Sequence, residues 1–169
     1  LALFTGDLLR RVRSERPHWA IALLAGLIVF NLWGTLQSAL AFPPGLTTQF
    51  DAVAQVDQRD LPAVIDFLRT HGETRGYTNY WVEFPMAFLS NEQLLYSAAL
   101  PYHPNFSYTR RDDRYPPYTA AVAASPRAAY VTTRHPALDD RLRAQFTALG
   151  VAFSETTLGD FHIFYGLSR

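Results

Sequence analysis

Ala128-Ala-Tyr-Val-Thr-Thr133, Pro136-Ala-Leu-Asp-Asp-Arg-Leu-Arg-Ala-Gln-Phe-Thr-Ala-Leu149 and Val151-Ala-Phe-Ser-Glu-Thr156 follow one another with little between them, and Phe161-His-Ile-Phe-Tyr-Gly-Leu167 closes the series. The first is rich in aromatic and β-branched residues and reads as a strand. The second places Leu138, Leu142, Phe146 and Leu149 on one face of a helix that Gly150 stops. Val151–Thr156 is a strand, Gly159-Asp160 is a turn, and Phe161–Leu167 is a final strand. Its period of two sends Phe161, Ile163 and Tyr165 to one face and His162 and Phe164 to the other. Strands alternating with helices imply parallel pairing in a layered α/β domain. The last two strands have only a tight turn between them, so they pair antiparallel. The expected fold class is therefore α/β, with a mostly parallel sheet and a C-terminal antiparallel hairpin.

Working upstream, Asp60 stands where a cap is expected, Leu61-Pro62 opens a helix, and Leu61, Val64, Ile65 and Leu68 follow at helical spacing, with Phe67 beside them, before Gly72. Gly76–Asn79 is a short strand, Tyr80–Leu89 a helix with Pro85 in its first turns or at a kink, and Leu94–Ala99 a buried strand. Pro101–Pro117 is a polar, aromatic loop, and Tyr118–Ala124 a short helix. The α/β domain is expected over residues 58–169, without internal repeats or low-complexity tracts.

Further upstream, Trp19 to Phe42 contains no charged residue. About 20 residues of helix cross the hydrocarbon core of a bilayer, so this run reads as one transmembrane helix, residues 19–42, with Trp19 at its interface. Residues 1–18 form a lead carrying Arg10, Arg11, Arg13 and Arg16, which keep that end cytoplasmic. Residues 43–57, opened by Pro43-Pro44-Gly45, form a linker. The localisation that follows is the cell (inner or cytoplasmic) membrane, with a single pass, the N-terminus inside and residues 43–169 outside. Asn31 and Gln37, with the small faces at Ala22, Gly26 and Gly34, suit packing against neighbouring transmembrane helices. Two other readings of the run exist. Ala39-Leu40-Ala41 has the form of a signal-peptide cleavage site, and an apolar helix can also be the buried core of a soluble protein.

Of the 169 residues, 49% are hydrophobic and 14% aromatic, which excludes a disordered tail. The formal net charge is zero, so no basic excess draws the chain to nucleic acid. Cysteine is absent, which removes disulfides, thiolate metal sites and cysteine nucleophiles. His18, His71, His103, His135 and His162 lack metal-ligand spacing, no glycine-rich phosphate loop follows a strand, and Ser90 and Ser154 lack a nucleophile elbow. No cofactor and no metal are expected. Glu83 and Glu92 have acid–base chemistry, but nothing in the sequence supplies a partner for either. The first residue is Leu, which fits a piece of a longer chain.

Tyr108-Thr-Arg-Arg-Asp-Asp-Arg-Tyr115 interleaves arginine and aspartate between aromatics. One reading is a solvated loop whose arginines pair with Asp112 and Asp113. The other is an anion or sugar site: Arg110, Arg111 and Arg114 grip a phosphate, while Tyr115, with Tyr80 and Trp81, supplies stacking faces. If the first three strands are parallel, the segments at Asn79–Trp81, after Leu100 and at Thr132–His135 leave the sheet at one edge, where open α/β sheets bind ligands.

Tyr80-Trp81, followed after six residues by Phe88-Leu89-Ser90-Asn91-Glu92, resembles a Tyr-Trp…Phe-Leu-Ser-x-Glu pattern of the C-terminal soluble region of bacterial GT-C membrane glycosyltransferases. These are the polyprenyl-phosphate-sugar-dependent enzymes similar to the protein O-mannosyltransferases of glycosyltransferase family 39. Arg114-Tyr115, Ala129-Tyr130-Val131 and Gly159-Asp160-Phe161…Tyr165 fit the same likeness, which covers about residues 17–169. It implies a last spanning helix, a linker and an extracytoplasmic accessory or substrate-gating domain, with a lipid-linked sugar phosphate as partner. The family's catalytic acids lie in an early external loop, so no catalytic residue carries over. Tyr80, Trp81, Ser90 and Glu92 can equally be core and capping residues, with Trp81 and Phe88 on one helix face. A standalone membrane-anchored module that binds sugar or another envelope component is the alternative.

Overall fold

The computed structural model describes residues 17–41, 53 and 55–168. It divides at residues 43/44 into two compact units. In the first, α1 (Pro17–Ala41) is a single helix, and Ile21–Leu40 within it is long and apolar enough to cross a membrane. Its central polar side chains turn to their own backbone. Asn31 Nδ2 donates to the Leu27 carbonyl at 2.7 Å, and Thr35 Oγ1 to the Asn31 carbonyl at 2.8 Å. Bonds of this kind lower the cost of a polar group in an apolar medium.

The second unit runs α2 (Leu61–Thr70), β1 (Arg75–Tyr77), α3 (Tyr80–Leu89), β2 (Leu95–Ser97), α4 (Pro116–Ala123), β3 (Ala129–Thr133), α5 (Pro136–Ala148), β4 (Ala152–Leu158) and β5 (Phe161–Ser168). The five strands form one sheet in the order β2-β1-β3-β5-β4. β1 runs parallel to both β2 and β3, and β5 runs antiparallel to both β3 and β4. The sheet is thus mixed, with two parallel and two antiparallel junctions, which corrects the expectation of a mostly parallel sheet. The reason is where β5 goes. The β3–α5–β4 connection does bring β4 back in the direction of β3, as strand–helix alternation requires. But β5 folds back at Gly159-Asp160 and fills the gap between them, so both of its ladders are antiparallel.

The strands feed two apolar clusters. Leu61, Val64, Ile65 and Leu68 of α2 and Val82 and Met86 of α3 meet Tyr96, Ala129, Val131, Phe161 and Ile163. Leu138, Leu142 and Phe146 of α5 meet Phe164, with Tyr77, Tyr130 and Phe153 beside them. Neighbouring residues of β3 and β5 therefore serve different clusters, the parity read for β5. Local departures have local causes. Leu149, placed on the buried face of α5 from its spacing, is the C-cap residue and is 63% exposed. Asp60 precedes α2 but makes no side-chain capping bond; the cap one turn earlier is Asp57, whose carboxylate accepts the Arg59 N–H at 3.0 Å. Pro85 lies inside α3 (Tyr80–Leu89). Val53 and Val56, within the expected linker, are buried, and the Asp57 N–H donates to Asp160 Oδ2 at 2.9 Å. Residues 1–16 of the expected lead, Phe42 and residues 43–52 and 54 of the expected linker lie outside the described residues.

Glu73, between α2 and β1, is buried. Its Oε1 accepts the Gly166 N–H of β5 at 2.9 Å and Arg127 Nη2 at 2.7 Å, and its carbonyl accepts the Tyr96 hydroxyl of β2 at 2.8 Å. The Tyr96 ring reaches that carbonyl only because residue 76 has no side chain. A Cβ there would lie 2.2 Å from the Ala129 carbonyl oxygen and 2.4 Å from the Tyr96 ring. Backbone on one side leaves no room to relax, and overpacking costs about 1–3 kcal/mol, occasionally more. Gly76→Ala is therefore expected to lower the thermal midpoint of the domain by several degrees or more in near-UV circular dichroism. An unchanged midpoint would contradict this packing.

Candidate ligand corner beside the parallel strands

Because β2, β1 and β3 are mutually parallel, their C-terminal ends emerge at one edge. The polar residues directly at that edge are occupied with one another. Asn79 caps α3, accepting the Trp81 N–H on Oδ1 at 3.0 Å, and donates from Nδ2 to Thr133 Oγ1 at 2.7 Å. Thr133 Oγ1 in turn donates to the Val53 carbonyl at 2.8 Å. Thr78 Oγ1 donates to the Val131 carbonyl at 2.8 Å, and Thr132 Oγ1 donates to Asp139. The His135 ring stacks on Phe106 at 5.0 Å, with Nε2 3.2 Å from the His103 carbonyl oxygen. All of Thr78, Asn79, Thr132, Thr133 and His135 are buried. Of the residues offered by the sequence as lining for a ligand, Asn79 caps α3 and bonds Thr133, and Thr132 bonds Asp139, while exposed Arg134 pairs with Asp160.

The ring-bearing residues lie just beyond. Tyr80 and Trp81 open α3 with their rings 5.0 Å apart. The Arg114 guanidinium sits over the Tyr80 ring at 4.9 Å, a cation–π contact. From Tyr80 the aromatic row passes to Phe84 at 5.8 Å, to Tyr118 at 6.4 Å and to Tyr115 at 4.8 Å. Four of the six expected site residues, Tyr80, Trp81, Arg114 and Tyr115, thus share one corner. Arg110 and Arg111 stand exposed on a 3-10 turn, Arg110–Asp112, a few residues before it. Among the described residues no ion pair joins Arg110, Arg111 or Arg114 to Asp112 or Asp113, although Asp112 is buried. The loop does not neutralise its arginines in pairs.

Sequence reasoning left Glu83 without a role. It is fully buried on the inner side of α3 beside Val82, Met86 and Ala87, and neither carboxyl oxygen has a hydrogen-bond partner among the described residues. Asp113 Oδ1 is likewise buried and unpartnered. Burial, and then the negative field of Asp113, push the Glu83 carboxyl up to about 8, so it is mostly protonated at neutral pH. The signal in the sequence was a lone acid in a helix otherwise apolar from Tyr80 to Leu89. Tyr108 is also held above the ordinary phenol range by burial and by Asp113, Asp112 and Glu83.

Ser90 and Glu92, quoted in the family likeness, shape a turn. Ser90 Oγ donates to the Ala87 carbonyl and accepts the Leu94 N–H, each at 3.2 Å. Asn91 and Glu92 adopt positive φ, and Glu92 Oε1 accepts the Tyr118 hydroxyl at 2.8 Å. Burial, followed by that bond, pushes the Tyr118 phenol up to about 12. Phe88, expected on a packed face with Trp81, is 80% exposed. His162 bridges Thr157 and Glu155 across the β4–β5 hairpin. Among the described residues no group of three or more histidine or carboxylate side chains is arranged to hold a metal. Comparison with family models, with curated proteins and with solved structures finds no match.

The raised Glu83 value fixes the sign of a pH effect. The folded state holds this proton more tightly than the unfolded chain, so Glu83 stabilises most below about 4.5, and that contribution is lost as pH rises through about 8. Glu83→Gln is expected to remove this dependence and to be more stable than the parent at pH 9, by an amount on the order of 2–4 kcal/mol. Urea denaturation of both proteins between pH 5 and 9 checks it. A difference between them that does not change with pH would contradict the buried, protonated state.

Proposed function

We propose that this chain is the C-terminal part of a polyprenyl-phosphate-sugar-dependent membrane glycosyltransferase of the GT-C class, similar to family 39. On this reading α1 is its last spanning helix, packed against neighbouring transmembrane helices, with the preceding residues cytoplasmic. The second unit is a small layered α/β domain outside the cell membrane that supports or gates the donor site and carries no catalytic acid. Its partner is a lipid-linked sugar phosphate.

The observation that carries this reading is the corner where Arg114 lies on Tyr80 while Arg110 and Arg111 stand exposed a few residues before it. Guanidinium groups suit phosphate, and aromatic faces suit the apolar side of a sugar ring. The protonation of Glu83 adds to it. Residues 110–114 carry three arginines and two aspartates, one net formal positive charge that an ionised Glu83 would offset.

The test is transfer activity of the full-length enzyme in native membranes. Arg111→Ala combined with Arg114→Ala is expected to lower it about tenfold or more at normal expression, since desolvated charge-assisted bonds are worth roughly 1.5–3 kcal/mol each. Unchanged transfer would overturn the proposed site. A reporter fused after Arg169 is expected to be active only in the external compartment, and activity in the cytoplasm would overturn the orientation.

A further inference from the structure

The outward side of α3 breaks the usual rule for a helix on a globular domain. Its inner stripe is Val82, Glu83, Met86 and Ala87, all buried. The outer positions that follow at i, i+1, i+4 and i+5 are Phe84, Pro85, Phe88 and Leu89, with no polar or charged residue among them. Phe84 and Pro85 are half-buried, while Phe88 and Leu89 are 80% and 52% exposed. A surface helix normally carries polar side chains on that side. At the N-terminal end of the same helix the aromatic row links Phe84 through Tyr80 to Arg114, and exposed Arg110 and Arg111 lie three or four residues before Arg114 in the chain.

We propose that this side of α3 docks on an anionic bilayer surface, with Phe84, Pro85, Phe88 and Leu89 sunk to the boundary between headgroups and acyl chains and Arg110, Arg111 and Arg114 meeting lipid phosphates. Two observations select a bilayer over a protein partner. An apolar helix face edged by exposed cations is the composition of helices lying in the interface plane, and cations near anionic lipid are attracted over roughly a Debye length. The chain also joins this domain to a helix able to cross a membrane through residues 42–52, whose contour cannot exceed about 40 Å. That tether keeps the local lipid concentration high, so a shallow patch suffices. The proposal rests on the reading that α1 spans a bilayer; it does not rest on glycosyl transfer.

The absence of cysteine makes the test direct, because each single-cysteine variant carries one label. The full chain is reconstituted in vesicles of phosphatidylcholine alone, or with about one-third phosphatidylglycerol. An environment-sensitive fluorophore is placed at Phe88→Cys, at Leu89→Cys, or at Leu149→Cys, which is 63% exposed at the end of α5. Quenching by lipids brominated in their acyl chains is expected to be at least about threefold stronger at positions 88 and 89 than at 149 in the anionic vesicles. Adding Arg110→Glu and Arg111→Glu is expected to at least halve that quenching there and to leave it unchanged in neutral vesicles. Equal quenching at the three positions overturns the proposal. So does a label at 88 or 89 that is shielded from water yet untouched by brominated lipid, which marks a protein-covered face. Charge reversal without effect in anionic vesicles removes the arginines from it. Because the readout is depth and not turnover, failure here leaves the transfer test standing, and failure of transfer leaves this one standing.

Discussion

Glu73 holds the two kinds of pairing in the sheet together. Its carbonyl receives the Tyr96 hydroxyl from the parallel side, and its carboxylate receives a backbone N–H of β5 from the antiparallel side and the Arg127 guanidinium. A carboxylate buried to this degree is tolerated only with such partners, and removing any one of them leaves a desolvated charge. Gly76 is the condition that makes the arrangement possible, since the Tyr96 ring and the Ala129 carbonyl occupy the space of a Cβ. β1 is only three residues long, yet it stands between β2 and β3, so these contacts decide whether the parallel strands share an edge at all.

That edge positions α3, and α3 presents two unlike faces. Inward it carries an acid kept neutral by its surroundings; outward it carries rings and aliphatic groups. The Asn79–Thr133 bond fixes the start of the helix against β3 and so sets where Tyr80 and Trp81 stand. Arg114 arrives from a distant loop and lies over the Tyr80 ring. A cation–π contact orients the guanidinium without neutralising its charge.

How far the fold could be read depended on whether the deciding contact was local. The parity of Phe161, Ile163 and Phe164 and the spacing of Leu138, Leu142 and Phe146 are properties of short segments, and they matched the two clusters. The place of β5 between β3 and β4 depends on pairing between distant segments, which no period encodes. The candidate corner followed the same division. Tyr80, Trp81, Arg114 and Tyr115 were visible as a concentration of rings and charges. Glu83 was visible only as an oddity, because the group that matters to it, Asp113, lies in another segment. Asn79 and Thr133 are 54 residues apart and each looked available to a ligand until their mutual bond was seen. Asp112 and Asp113 looked like counter-ions because adjacency in sequence is easily mistaken for pairing in space.

The insertion of β5 has a consequence for biogenesis. Strands β1, β2 and β3 emerge from the ribosome before β5, but among the described residues β4 pairs in the sheet with β5 alone. The Phe161, Ile163 and Phe164 side chains that complete both clusters also arrive with that strand. Until residues 161–168 are released, the nascent domain exposes the free side of β3 and an unpaired β4, the kind of open edge that recruits other strands or chaperones. The order of synthesis thus leaves an interior strand of this sheet to be filled last.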